Sequence, residues 1–353
     1  MTTATADRGI AVPSALRKQG WTVPILVGLA LLSAIFASLC VGAYPMSFWH
    51  SAKLVLHLVW PFSTYNPDLK ELTVVKIIRP PRVLLATLAG MGLGMSGTAL
   101  QGMFRNPLVS PDIVGVTSGA AFGAALAISL DWSPAVIMAL GCCTGMMAMA
   151  CTFSLAKMAR GSNDGVVVIL SGVFIGAFFL ALLGLVEFWG NPFRISHWII
   201  GSFVNADWTK VWTIAIPTLI GGCVLMTLRW RLNLLSLGDL DAQSLGINVG
   251  LLRWTIIAVV SVIVASQVAV SGVIALVGLV VPHCARMLVG PDHRRLLPTA
   301  ALIGALFVLA LDDLNRSSVY AALPVGALSA MVGTPVVCLL LWKSRGRGWT
   351  RNS

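Results

Sequence analysis

The chain has 353 residues, of which 57% are hydrophobic and only 10% are charged, and its mean hydropathy is +0.88. Because soluble domains carry about 25% charged residues, this composition excludes an ordinary soluble domain and predicts a polytopic membrane protein. The apolar runs are long and continuous, which favours spanning helices of about 20 residues over the short alternating strands of an outer-membrane barrel. The net charge of +11 is concentrated in alternate loops, which argues against a nucleic-acid-binding protein.

Ten apolar runs predict an all-α fold with ten transmembrane helices. In chain order these runs are Trp21–Ala43, a run from just after Arg82 to about Met103, Leu108–Leu130, Ala135–Met158, Gly165–Phe188, Val211–Leu228, Trp254–Val270, Gly272–Leu288, Leu296–Leu311 and Pro324–Trp342. The spans form one domain, residues 21–342, between a polar tail, residues 1–20, and a basic tail, residues 343–353.

The distribution of positive charge predicts the orientation of these spans. Ten spans place both termini on one side, and 16 of the 24 Lys and Arg residues fall on that side. The positive-inside rule therefore predicts cytoplasmic N and C termini. Lys70–Arg82 forms a positive cluster on the predicted outer side, against this bias, and an amphipathic segment near Phe48–Trp60 is expected along the outer surface.

One long polar segment, residues 234–253, interrupts the second half of the chain. Gly238 and Asp239 can begin a short helix, Ala242 and Leu245 recur at helical spacing, and Gly246 is a plausible end. The segment is either a solvated loop helix or a docking surface for a cytoplasmic partner.

The polar residues exclude several kinds of protein. Nearly all of the 13 acidic residues map to turns, and the two that come nearest to a span interior, Asp112 and Glu187, lie close to span ends. An ion-coupled carrier usually needs an ionisable group near the bilayer midplane. The chain has no G-x-x-x-x-G-K-[ST] loop, no catalytic constellation and no metal-ligand spacing among its His and Cys residues. The seven Cys are predicted to be small buried hydrophobes. A transporter without its own energy source must borrow one, which favours the docking interpretation.

Small residues recur four positions apart in several spans, and they predict close helix packing. These residues are Gly90/Gly94, Gly115/Gly119/Gly123, Gly141/Gly145 and Gly172/Gly176.

Several motifs then occur in a recognisable order. They are RPPR (79–82), a glycine-rich run to Gln101, NPLVSPDIVGVTSGA (106–120), LGDxxAxxLG (237–246), SGVIALVGLVVPHxxR (271–286), DHRxLLP (292–298) and LPVGxxxAxxGxPV (323–336). Together they resemble the iron-siderophore, cobalamin and haem permease family, the FecCD-type transmembrane subunit of type II ABC importers. The resemblance extends over nearly the whole chain after residue 20.

The resemblance implies a bacterial inner-membrane permease that binds no cofactor and is not itself an enzyme. It implies a homodimer or a dimer with a paralogue, two ATPase subunits that use the ATP, and a periplasmic or lipoprotein substrate-binding protein. Residues Gly238–Gly246 would form the coupling helix, with Gly238, Asp239, Ala242, Leu245 and Gly246 at the ATPase.

By the same resemblance, Arg79, Arg82 and Arg316 would be exposed outer cations that dock an acidic binding protein. The alternatives are lipid-headgroup anchoring for Arg79 and Arg82, and a local i,i+4 pair with Asp312 for Arg316. The sequence departs from the family at Leu311-Asp312-Asp313, where the second acid weakens that role for Arg316. The match to the inner gate near Asn163–Val166 is loose, so no gate residue is assigned.

Ferric siderophores are the first expectation for the substrate, with corrinoids, haem and, more rarely, oxyanions as alternatives. The aromatic segment Phe188–Trp208 suits haem or a catechol, but it equally fits an interfacial belt. From other classes, the rivals are a secondary transporter driven by an ion gradient and a membrane scaffold. Neighbouring genes for an ATPase and a binding protein would distinguish the importer from the secondary transporter, and the spans broken by Pro and Gly argue against the scaffold.

Overall fold

A computed structural model describes residues 21–42, 44, 46–59, 68–159, 165–317 and 323–344 of the chain. The predicted tail of residues 1–20, the inner turn at 161–164, which contains the first half of the gate region near Asn163–Val166, and the basic tail from residue 345 lie outside the described residues.

The described residues form helices connected by short loops. The helices are α1 Thr22–Cys40, α2 Phe48–Val59, α3 Leu69–Phe104, α4 Val116–Ser129, α5 Pro134–Met158, α6 Gly165–Trp189, α7 Pro192–Ile199, α8 Trp208–Leu235, α9 Asp239–Ser244, α10 Val249–Ser271, α11 Val277–Val289, α12 His293–Ser317 and α13 Val325–Ser344.

The all-α prediction is confirmed, and the ten predicted spans each correspond to one helix. Seven helices, namely α1, α3, α5, α6, α8, α10 and α12, are long and apolar enough to cross a membrane. The shorter apolar helices α4, α11 and α13 account for the other three spans. Helix α2 occupies the predicted amphipathic segment, but its apolar residues Leu54 and Val55 pack against Cys40 and Val75 of the chain itself.

Two of the predicted spans begin later than expected. The third was predicted from Leu108 but its helix starts at Val116, and the eighth was predicted from Gly272 but its helix starts at Val277. Proline residues at 107 and 111 lack the N–H that a helix needs, and Leu276 adopts a left-handed conformation with φ of 65°. Most residues of these non-helical segments are buried or half-buried against the rest of the chain, although Leu108 is 43% exposed, and several of their backbone groups form turn hydrogen bonds.

The second span begins earlier than expected, since helix α3 runs without interruption from Leu69 through Arg79-Pro80-Pro81-Arg82. A π-helical turn, Val74–Ile78, immediately precedes the two prolines. Because a proline ring clashes with the carbonyl one turn earlier and removes a donor, this wider turn lets the helix continue.

Helix α3 lies at the centre of the fold and packs against α8, α10, α11 and α12. The backbones approach closely where glycines face each other: a Cβ on Gly90 would lie 2.0 Å from the Gly304 oxygen, and one on Gly97 would lie 1.9 Å from the Gly278 oxygen. A second group of helices forms around α4, which packs against α5, α6 and α10. The predicted packing role of Gly90 is confirmed by this geometry.

The prediction that all seven cysteines are buried is wrong. Cys40 is buried, but Cys143, Cys151, Cys223 and Cys338 are exposed on the helix surfaces. In a membrane-spanning chain an outward surface meets hydrocarbon or another apolar helix, so a small apolar side chain is tolerated there as well as in the core.

Candidate functional site

The short helix α9 is the predicted docking element on the cytoplasmic side. It spans Asp239–Ser244, just over one and a half turns, and the N–H of Ala242 bonds to the Gly238 oxygen at 2.9 Å. Gly238 has φ of 140° and Gly246 has φ of 81°, conformations that side-chain-bearing residues rarely adopt. The sequence therefore placed both ends of this helix correctly.

The apolar residues of α9 divide between two faces. Ala242 is fully buried against the chain itself, whereas Leu245 is 58% exposed. Leu240, which sequence reasoning missed, is 81% exposed and lies two positions before Ala242, hence on the opposite side of the helix. The sequence pattern could have revealed it. Leu240 lies between Asp239 and Asp241, two positions from Ala242, so it faces outward when Ala242 faces the chain. Helix α9 thus presents leucines to its surroundings and anchors itself through Ala242.

Asp239 fastens α9 to two transmembrane helices. Its Oδ1 accepts a hydrogen bond from Arg253 Nη2 of α10 at 2.9 Å and lies 3.7 Å from Nη2 of Arg105, which caps the end of α3. One carboxylate therefore links α9 to both α10 and α3.

At the opposite end of the molecule, Arg82 and Arg316 share the fully buried carboxylate of Asp312. Arg82 donates from Nε and Nη2 at 2.8–3.1 Å, and Arg316 Nε lies 3.0 Å from Asp312 Oδ2. Arg316 also pairs with Asp313 and donates from Nη1 to the Val41 oxygen at 3.2 Å. The i,i+4 pair considered for Arg316 and Asp312 is present.

Arg79 joins the same region without a carboxylate contact among the described residues. Its Nη1 donates to the Leu39 oxygen at 2.9 Å and contacts Ser51 Oγ at 3.3 Å. Arg79 and Arg316 therefore both meet the carbonyl end of α1, which carries partial negative charge.

The expectation that all three arginines are exposed is wrong. Arg79 and Arg316 are buried, and the Arg82 side chain is only 15% exposed. The sequence could not reveal that the end of α1 supplies acceptors for them, because that contact joins segments about 40 and 275 residues apart. No described contact tests the docking role itself, which stays a prediction.

The two acids considered for ion coupling both make structural hydrogen bonds. Asp112 accepts from Thr117 Oγ1 at 2.8 Å and from the N–H of Leu276 at 3.1 Å, and so joins the two segments that precede α4 and α11. Glu187 accepts from Ser196 Oγ at 3.3 Å, between α6 and α7.

A polar network that sequence reasoning missed surrounds the start of α12. Asp292 accepts from Asn233 Nδ2 at 2.6 Å, and Asn233 Oδ1 contacts His293 Nδ1 at 2.8 Å. Partial burial alone would raise the pKa of Asp292. Hydrogen bonds from the Arg294 N–H and from Asn233, and the charges of Arg294 and Arg295, outweigh the effect of burial. They hold the pKa of Asp292 below its usual value. Asp292 therefore stays ionised and fixes the orientation of Asn233.

Comparison with known proteins gives a consistent result. A model of the FecCD transport family matches residues 30–343. The molybdate import system permease protein MolB of Haemophilus influenzae is 38% identical over 92% of this chain and 97% of its own length. The hemin transport system permease protein HmuU of Yersinia pestis is 38% identical over 92% of this chain and 95% of its own. A solved inward-facing structure of an ABC transporter classed as metal-chelate type has a TM-score of 0.79 and 35% identity, over 91% of this chain and 99% of that one.

Proposed function

The chain belongs to the FecCD transport family, and we propose on that basis that it imports an iron chelate with energy taken from a separate ATPase. It is a multi-pass permease of bacterial ABC importers in the inner membrane. The observation that supports the proposal is the family match over residues 30–343, together with the exposed Leu240 and Leu245 at the short helix α9.

The proposed assembly contains two of these permease chains, or one with a paralogue, and two ATPase subunits. Both termini and α9 lie on the cytoplasmic side in this proposal. Leu240 and Leu245 then enter an apolar groove of the ATPase, because exposed leucines on a short helix in water are otherwise unfavourable. The chain itself binds no nucleotide or cofactor, and ATP is used by the partner subunit.

A periplasmic or lipoprotein binding protein completes the proposed assembly on the outer side. We call the following five residues the outer cluster: Arg79, Arg82, Arg316, Asp312 and Asp313. Its three arginines and two aspartates leave a net positive charge, which attracts an acidic partner. Arg82, whose side chain is 15% exposed, is the most accessible of the three arginines and makes the first contact in this proposal. Arg79 and Arg316 act mainly by contributing charge and by holding α1 against α3 and α12.

A ferric siderophore is the proposed cargo, and haem or cobalamin is the nearest alternative. The metal-chelate class of the similar solved structure and the hemin relative support a metal held in an organic ligand. The molybdate relative, with equal identity over the same share of the chain, favours a second candidate, an oxyanion.

The proposed test reconstitutes the purified chain with its ATPase and binding protein in liposomes. We expect uptake of a ⁵⁵Fe-siderophore that requires ATP and the binding protein and that persists when ion gradients are collapsed. Molybdate uptake in place of iron would select the second candidate. Transport by the chain alone on an ion gradient would instead make it a secondary transporter and would reject the ATPase role of α9.

A further inference from the structure

A cavity of about 340 Å³ lies beside the first turn of α12, on the side of the molecule that is predicted to face the cytoplasm. At about 30 Å³ for each water, it has room for roughly ten water molecules. Its described lining contains Arg105 from the end of α3, Arg286 from α11 and His293 from α12, with no carboxylate among the lining residues. The cavity is therefore a basic cleft, open to the surface and assembled from three separate helices.

The two arginines of the cavity are poorly neutralised. Arg286 Nη2 donates to the neutral amide oxygen of Gln101 at 3.2 Å and makes no ion pair within the described part of the chain. Arg105 has Asp239 Oδ1 as its ion-pair partner at 3.7 Å, and that oxygen already accepts from Arg253 at 2.9 Å. One carboxylate thus serves two guanidinium groups, which leaves positive charge facing the cavity.

His293 contributes a nitrogen that lacks a partner. The residue is only 4% exposed, and its Nε2 makes no hydrogen bond. Its Nδ1 faces Asn233 Oδ1, which Asp292 holds in place from the other side of the amide. Nε2 lies against Gly102 in the cavity wall, where a Cβ would come within 2.3 Å of it. Because a buried polar atom without a partner is costly, a small shift of the ring that brings Nε2 to a ligand in the cavity would be favourable.

We propose that this cavity binds a tetrahedral oxyanion through Arg105, Arg286 and His293. Guanidinium groups match the oxygens of phosphate-like anions with paired N–H donors, and here two of them come from different helices. The same chemistry is offered by a free oxyanion and by the phosphate of a lipid headgroup at the inner membrane surface. This site is separate from the proposed transport function, since it assigns a second ligand at the end where α9 is anchored.

Binding at this site is linked to a proton. Asn233 Oδ1 can only accept, so Nδ1 carries the proton of the neutral ring and Nε2 can only accept. Nε2 becomes a donor to an oxyanion when the ring is protonated. Burial and the charge of Arg286 oppose this protonation, whereas the charge of Asp292 and the bound anion favour it. Anion affinity therefore increases as the pH falls, by up to about tenfold per pH unit for one proton.

The test uses the full-length chain, purified in detergent and stripped of lipid, with sulfate as the probe because sulfate does not titrate near neutral pH. Calorimetry should show sulfate binding that tightens at lower pH. Arg286→Gln and Arg105→Gln should each weaken it about tenfold or more. His293→Asn keeps a donor toward Asn233 but deletes Nε2, so it should remove the pH dependence.

Arg294→Gln is the matched control. Arg294 lies on the same helix turn but stacks over Trp230, 4.2 Å from the ring centroid, and is not among the residues that line the cavity. Its substitution should change sulfate affinity much less than Arg286→Gln does, because the variant keeps the backbone N–H of residue 294 that bonds to Asp292. Thermal unfolding of each variant separates lost binding from lost folding.

Native mass spectrometry distinguishes the two sources of the anion. A phospholipid retained by the wild type but not by Arg286→Gln identifies a headgroup, whereas sulfate binding without retained lipid identifies a free oxyanion. Equal sulfate affinity in the wild type and Arg286→Gln overturns the site. The absence of both bound sulfate and retained phospholipid in the wild type also overturns it. ATP-dependent uptake, measured separately, reports on the proposed function independently of this result.

Discussion

Arg82 and Asp312 form a bidentate ion pair that joins helix α3 to helix α12 across 230 positions of sequence. The pair is fully buried on the Asp312 side and 15% exposed on the Arg82 side. The Arg82 guanidinium therefore links helices α3 and α12 and is also the most accessible cation of the outer cluster. A substitution at Arg82 alone cannot separate these two roles.

We expect Arg82→Glu to abolish transport, because it places two carboxylates together and also removes the outward cation. The double variant Arg82→Gln with Asp312→Asn keeps two hydrogen-bonding amides at this contact, leaves Arg316 its pair with Asp313 and removes the outward cation. It should be more stable to heat than Arg82→Glu but bind the binding protein at least about tenfold more weakly than the wild type. Surface plasmon resonance of the reconstituted complex is the measurement, and wild-type affinity in the double variant would remove Arg82 from the docking surface.

Asp239→Asn should uncouple ATP hydrolysis from transport. The amide has no charge for Arg253 and Arg105, so α9 stays attached to the ATPase but loses its charged connection to α10 and α3. We expect ATPase activity near that of the wild-type complex with substrate uptake reduced about tenfold or more. Asp241→Asn is the control, since Asp241 lies on the same helix and makes no ion pair among the described residues. Equal loss in both variants would show that Asp239 has no special part in coupling.

Leu240→Glu should prevent assembly with the ATPase without unfolding the permease. Leu240 is exposed, so a charge there costs the isolated chain little, whereas in an apolar groove it is strongly unfavourable. Co-purification of the ATPase should fall sharply and thermal stability should not change. Gln243→Glu adds the same charge to the same helix at a position that is already polar, and it should retain the ATPase. Retention of the ATPase by Leu240→Glu would exclude Leu240 from the interface.

Gly97→Ala should destabilise the bundle by about 1–3 kcal/mol, because the new Cβ would lie 1.9 Å from the Gly278 oxygen on α11 and would force α3 and α11 apart. Gly184→Ala on α6 is the control, since nothing lies within 4 Å of its Cβ position. It should be neutral or slightly stabilising, because alanine is the better helix former. Thermal unfolding in detergent reports both effects, and equal melting temperatures would contradict the close approach of α3 and α11.

The sequence by itself determined the membrane class, the ten apolar segments and the ends of α9. These properties depend on local composition, on helical periodicity and on glycines whose backbone conformation is set within a few residues. The Pro107 and Pro111 segment before α4 and the continuation of α3 through Pro80 and Pro81 were not predicted, since apolar content does not distinguish helix from buried coil. In those places the neighbouring helices decide whether the backbone groups are satisfied.

Only the tertiary structure decided which charges are free. Arg79, Arg82 and Arg316 look like an exposed cationic patch in the sequence, but folding brings them to Asp312, to Asp313 and to the carbonyl end of α1. Arg105, Arg286 and His293 are far apart in the chain, and folding brings them around one cavity. The physical reason is the same in both cases. Whether a charge is neutralised depends on the groups that lie within a few ångströms of it. Those groups come from different helices, and the order of the helices in the chain does not predict which of them are in contact.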